Sequence, residues 1–110
     1  MVYVSITGLR LKRFWHYPRF AWHAARCMAQ AKGAPGNLRA EARTINGIHH
    51  TLSVWTDRDA MLAYVTSGAH VRAMPAFRSM AVGKVLGFEA AAPPAWADVH
   101  GLWQDKGRSV

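Results

Sequence analysis

Apolar and polar residues alternate with a period of two in four separate stretches of the chain, and two longer stretches between them carry helical spacing. Val2, Val4 and Ile6 alternate with Tyr3, Ser5 and Thr7, which predicts a first half-buried strand over 2–7. Gly8 to His16 reads as an irregular basic loop. Pro18 suits the first turn of a helix that runs to Lys32, with Phe20, Ala24, Cys27, Met28 and Ala31 on its core stripe and Arg19, Arg26 and Gln30 facing out. Gly33-Ala34-Pro35-Gly36 closes it as a loop. A second strand spans 37–45, with Leu38, Ala40 and Ala42 on one side and Arg39, Glu41 and Arg43 on the other. Asn46-Gly47 is a strong hairpin signal and leads into a third strand over 48–55, so these two pair antiparallel. Within the third strand Ile48, His50, Leu52 and Val54 share one face, and His49, Thr51, Ser53 and Trp55 share the other.

Thr56 followed by Asp59 predicts a capped helix start, with Met61, Leu62 and Val65 as its stripe. Gly68 interrupts it, Ser67 is placed to cap a second segment, and Pro75 predicts a kink before an end near Met80. Ala81 to Ala90 is a fourth strand, with Gly83 and Gly87 permitting close backbone approach. The resulting order β-α-β-β-α-β predicts a ferredoxin-like α+β fold, a four-stranded antiparallel sheet with both helices on one face. The apolar sides of the strands are expected under the helices, which leaves Tyr3, Ser5, Thr7, Arg39, Arg43, His49, Thr51, Ser53 and Trp55 on the bare face. After Pro93-Pro94 the tail holds Trp96 and Trp103 with little periodicity and reads as an arm, giving a domain over 1–92 and an arm over 93–110.

Composition narrows the class. The 110 residues are 51% hydrophobic and 18% charged, a globular balance that excludes a disordered chain. The single Cys27 cannot form an internal disulfide, and a cytoplasmic location is expected. No stretch reaches the ~18 apolar residues of a membrane span, so no membrane partner is expected. Net charge is +8, from ten Arg and four Lys set against six acids, which raises an anionic partner. Only Arg10, Lys12 and Arg13 cluster, and no helix-turn-helix, zinc or RNP signature accompanies them, so nucleic acid is not the expected partner. His49 and His50 are adjacent on a strand and point to opposite faces, and neither H-x-H nor helical H-x-x-x-H occurs, so no metal site is expected. There is no G-x-S-x-G, P-loop or dinucleotide fingerprint either.

The stretch "TLSVWTDRDAMLAYVTSGAHVRAM", from Thr51 to Met74, joins a strand ending in Trp to an acidic helix start, a Met-containing helix and Gly-Ala-His. In this stretch and in its element order, from Val2 to Glu89, the chain resembles the dimeric α+β barrel superfamily, which includes antibiotic-biosynthesis-type monooxygenases and small heme-degrading monooxygenases. The Trp and His pattern is also similar to the spheroidene monooxygenase-like branch, which implies heme as an alternative cofactor. The heme-degrading members carry an Asn on the first strand, where this chain has Ser5 and Thr7. The resemblance implies a homodimer whose facing sheets enclose a cavity for a small hydrophobic or aromatic molecule.

With no flavin or nicotinamide fingerprint, oxygenation requires no cofactor if the substrate, as a phenolate or enolate, itself reduces oxygen after losing a proton. His70 is the candidate base, or on the heme alternative the axial ligand. Trp55 is the candidate flat wall, Arg43 and Tyr3 the anion stabilisers, and Ser5, His49 and Ser53 the lining. A third reading is a non-catalytic dimeric interaction module.

Overall fold

The computed structural model describes residues 1–109. Strands β1 (Val2–Leu11), β2 (Asn37–Ile45), β3 (Ile48–Trp55), β4 (Ala81–Ala90) and β5 (Arg108–Ser109) form one antiparallel sheet in the order β2-β3-β1-β4-β5. A 3₁₀ turn at Phe14–His16 leads into α1 (Tyr17–Gly33); α2 (Arg58–Val65) and α3 (Gly68–Met80) link β3 to β4, and α4 (Trp96–Lys106) follows. The ferredoxin-like order expected from the sequence is present, with β5 as a short fifth strand. β1 runs four residues past the expected Thr7, because Gly8 to Leu11 find partners in Lys84 to Ala81 of β4.

The faces of β1 and β3 are the reverse of the expected ones. Tyr3 and Trp55 pack with Ala40 beneath Met28 and Ala31 of α1 and Met61 and Tyr64 of α2. The more apolar side, Val4, Ile6 and Leu52, instead packs against Trp96, Val99 and Trp103 of α4. The segment read as an arm is therefore a helix laid on the second face of the sheet. Both faces are buried, so the apolar alternation marked α4's side rather than that of the other helices. On β2, a register shift between Asn37 and Arg39 sets Ala40 opposite Ser53 and Arg43 opposite His50. Arg43 thus lies on the α4 side, 4.9 Å from the Trp96 ring, and is separated from Trp55 by the sheet.

Two glycines fit this packing closely. A Cβ at Gly8 would run into the Trp103 indole, and one at Gly87 would run into the Tyr3 hydroxyl. α4 is tied down further by Trp96 Nε1, which donates to Glu41 (2.7 Å), and by Trp103 Nε1, which donates to the Lys84 carbonyl (2.9 Å). Arg39 and the Trp96 indole together hold the Glu41 carboxyl down to about 2. His100 sits in α4 and meets buried His50 across 2.8 Å, Nδ1 to Nε2. His50 Nδ1 lies 3.1 Å from the Thr7 carbonyl, which can only accept, so Nδ1 carries the proton and His100 donates to the free Nε2.

The helix junctions also depart from expectation. Asp57, rather than Thr56, caps α2 by accepting from the Ala60 amide at 2.8 Å. Ser67 precedes α3 but makes no side-chain cap. Gln30 of α1 does that work: its Oε1 accepts from the His70 amide (2.9 Å) while its Nε2 donates to the Tyr64 and Ser67 carbonyls. Read as an outward residue, Gln30 instead satisfies both the end of α2 and the start of α3. Gly68 sits between them at φ +58, with the Gln30 amide packed against it. α3 runs through Pro75 as one helix to Met80.

Candidate functional site

The helix-covered side of the sheet does not hold one continuous core. At one end Tyr3 and Trp55 pack with α1 and α2, and at the other Leu9 and Leu11 pack with Phe20, Ala76 and Met80. Between these clusters, β1 and β3 present Ser5 opposite Ser53 and Thr7 opposite Thr51. All four are half-buried although they occupy the two central strands. α1 lies over β2 and α3 over the start of β4, so the helices leave these hydroxyls partly uncovered. His49 closes the far end of the band with its ring 4.9 Å from Phe20.

The hydroxyls differ in what they have already bonded. Thr7 and Thr51 share a hydrogen bond, and Ser53 Oγ accepts from Trp55 Nε1 at 2.9 Å. Ser5 Oγ and Tyr3 Oη have no partner among the described residues, yet neither is a sealed, unsatisfied group, so both reach solvent. Tyr3 and Ser5 are therefore the donors free for a ligand. The sequence reading placed Tyr3, Ser5, His49, Ser53 and Trp55 together, and together they are, on the covered side. Arg43 is the exception.

Trp55 and His70, expected as two walls of one cavity, are joined by a residue the sequence reading missed. Tyr64 stacks on Trp55 (5.2 Å, 27°) and meets His70 edge-on at 5.0 Å. Its hydroxyl donates to the Cys27 carbonyl at 3.0 Å, and burial pushes that hydroxyl well above its ordinary pKa. Trp55 is wholly buried, so it supports the site rather than lining it. A groove of about 570 Å³ runs past the outer side of Tyr64, between the end of α1 and α2. Tyr64's place one residue before Val65, on the α2 stripe, was the only signal for it.

His70 shares an α3 stripe with buried Ala73 and with Phe77. Its Nδ1 lies 3.1 Å from the Val65 carbonyl, so Nδ1 carries the proton and Nε2 holds a lone pair. That Nε2 has no partner among the described residues and is not sealed from solvent. Burial lowers the His70 pKa from 6.5, partly offset by the bond to Val65, so the ring is neutral near pH 7. A held tautomer and a free lone pair on a neutral imidazole are what a general base needs. Heme fits less well. Tyr64 fills the space between Trp55 and His70.

No family model matches the chain, and no curated protein does. Solved structures do. SnoaB, a cofactor-independent oxygenase from Streptomyces nogalater, is 18% identical with a TM-score of 0.70, over 83% of this chain and 94% of that one. Rv0793 from Mycobacterium tuberculosis is 8% identical with a TM-score of 0.74, over 84% and 99%. A structure described as an antibiotic biosynthesis monooxygenase is 13% identical with a TM-score of 0.70, over 81% and 99%. At these identities the likeness is one of fold, and the chain has the ferredoxin-like α+β fold that these structures share.

Proposed function

We propose that this protein is a monooxygenase-like enzyme that binds a small aromatic molecule between its helices and central strands and oxygenates it without a cofactor. The observation that carries this reading is the hydroxyl band that interrupts the core on the helix-covered face, together with the unengaged lone pair of His70 in the same layer. The fold shared with SnoaB, a cofactor-independent oxygenase, supports the choice of chemistry.

The substrate class is an acidic, electron-rich phenol or anthrone. His70 Nε2 accepts the proton, and Tyr3 and Ser5 donate to the oxygen of the anion. The anion passes electrons to O₂ and bonds it as a carbon peroxide; loss of water then leaves a carbonyl. In sum a CH₂ group and O₂ give C=O and H₂O, and the substrate supplies all four electrons. The homodimer implied by the resemblance is part of this reading, with α4 rather than bare strands on the second sheet face.

Oxygen uptake by chelator-treated protein supplied with an anthrone tests it. Equal moles of oxygen and anthrone are expected to be consumed. His70→Asn, which keeps a donor for Val65, is expected to lower kcat roughly 100-fold or more. Absence of uptake above the uncatalysed rate, or an unchanged rate in His70→Asn, overturns the reading.

A further inference from the structure

The oxygenase reading leaves one end of the molecule unused. The first forty residues contain seven Lys and Arg and no Asp or Glu. The fold gathers four basic side chains of this segment, Arg10, Lys12, Arg13 and His16, around an open groove of about 510 Å³ floored by Leu11 and Val82. The one ion pair among the described residues, Arg39 with Glu41, lies elsewhere, so no carboxylate of the described residues pairs with Arg10, Lys12 or Arg13. Lys12 spends its ammonium on the Arg78 carbonyl, at 3.0 Å, at the exposed surface.

Beside the groove, the 3₁₀ turn and the start of α1 push large rings into solvent. Phe14 is 83% exposed, Trp15 62% and Tyr17 53%. Trp22 is also exposed, and Arg26 sits over its ring at 4.8 Å. Single exposed apolar residues are ordinary, but rings in one short segment flanked by unpaired cations mark an interaction surface.

We propose that this tip docks on the surface of an anionic lipid bilayer. Lys and Arg side chains meet lipid phosphates, while Trp and Tyr rings settle at headgroup level and Phe14, which has no polar handle, reaches the acyl boundary. The alternative, a nucleic acid, needs open ring faces for base stacking. Here Phe14 stands edge-on to Trp15, at 5.4 Å and 76°, and the Arg13 guanidinium lies over the Trp15 ring. The steep angle between the two rings and the cation over one of them leave no pair of parallel open faces for stacked bases. No helix among the described residues is long and apolar enough to cross a membrane, and the attachment proposed is peripheral. This surface stands apart from the His70 site and does not depend on the oxygenase reading.

Co-sedimentation of the full chain with vesicles tests the proposal. Binding is expected to phosphatidylcholine vesicles containing phosphatidylglycerol, not to phosphatidylcholine alone, and is expected to fall as salt is raised. Lys12→Gln with Arg13→Gln lowers partitioning roughly 25-fold, about fivefold per cation. Phe14→Ser with Trp15→Ser weakens it without removing the salt dependence. All four side chains are exposed, and unchanged circular dichroism shows that the variants fold. No binding to phosphatidylglycerol vesicles, equal binding by the double Gln variant, or capture of oligothymidylate at the same salt without vesicle binding overturns the proposal.

Discussion

The sequence singled out His70 as an imidazole just after a helix break. Its state was not legible there, since the tautomer depends on the Val65 carbonyl and its start-of-helix position on Gln30, forty residues away. Trp55 was legible as a large ring at a strand end, but its role depended on Tyr64, which buries it. The base assignment carries a pH signature. If His70 is the base it works unprotonated, and burial holds its pKa below 6.5, so kcat is expected to rise with pH through that depressed value and to be flat from about neutral upward. A pH profile of anthrone oxygenation measures this. A rate that still climbs in step with pH above neutral would point to unassisted ionisation of the substrate instead.

At the scale of elements, a period of two says which residues share a face and leaves open what covers each face. Strand positions, the Asn46-Gly47 hairpin and the helix order followed from local pattern alone. The assignment of faces failed because it needed α4, whose Trp96, Val99 and Trp103 lie at i, i+3 and i+7. That spacing is helical, yet three residues after Pro93-Pro94 are a weak signal, and the tail read as an arm. The β2 register shift was illegible for the same reason: it is set by the partner strand. If α4 is part of the fold, Trp103→Ala is expected to destabilise by about 3–5 kcal/mol in urea unfolding. Gly8→Ala is expected to cost about 1–3 kcal/mol, because its Cβ strikes the same indole. In the Trp103→Ala background most of the Gly8→Ala cost should vanish, and simple additivity would contradict the contact.

Across the whole molecule, burial holds His49, His50 and His70 below the ordinary histidine pKa of 6.5. His50 is further disfavoured as a cation by His100 and His49, with Arg43 beside it on β2 and Lys84 over Trp103 on β4. The unfolded chain takes up protons near 6.5 that the folded chain refuses, so stability is complete above that pH and declines as pH falls below it. Urea midpoints at about pH 7.5 and about pH 5 should differ in that sense, and His50→Gln should shrink the difference. The sheet is packed on both sides, with α1 to α3 on one face and α4 on the other, and the proposed ligand site is the hydroxyl band that interrupts the packing on the first of these. Mapping amide chemical-shift changes while a phenolic ligand is titrated into labelled protein tests this site most directly. The account expects the largest changes at Tyr3, Ser5, Thr51, Ser53 and His70. Changes centred on Ala34, Gly36 and Ala60 in the outer groove, or on α4, would contradict it.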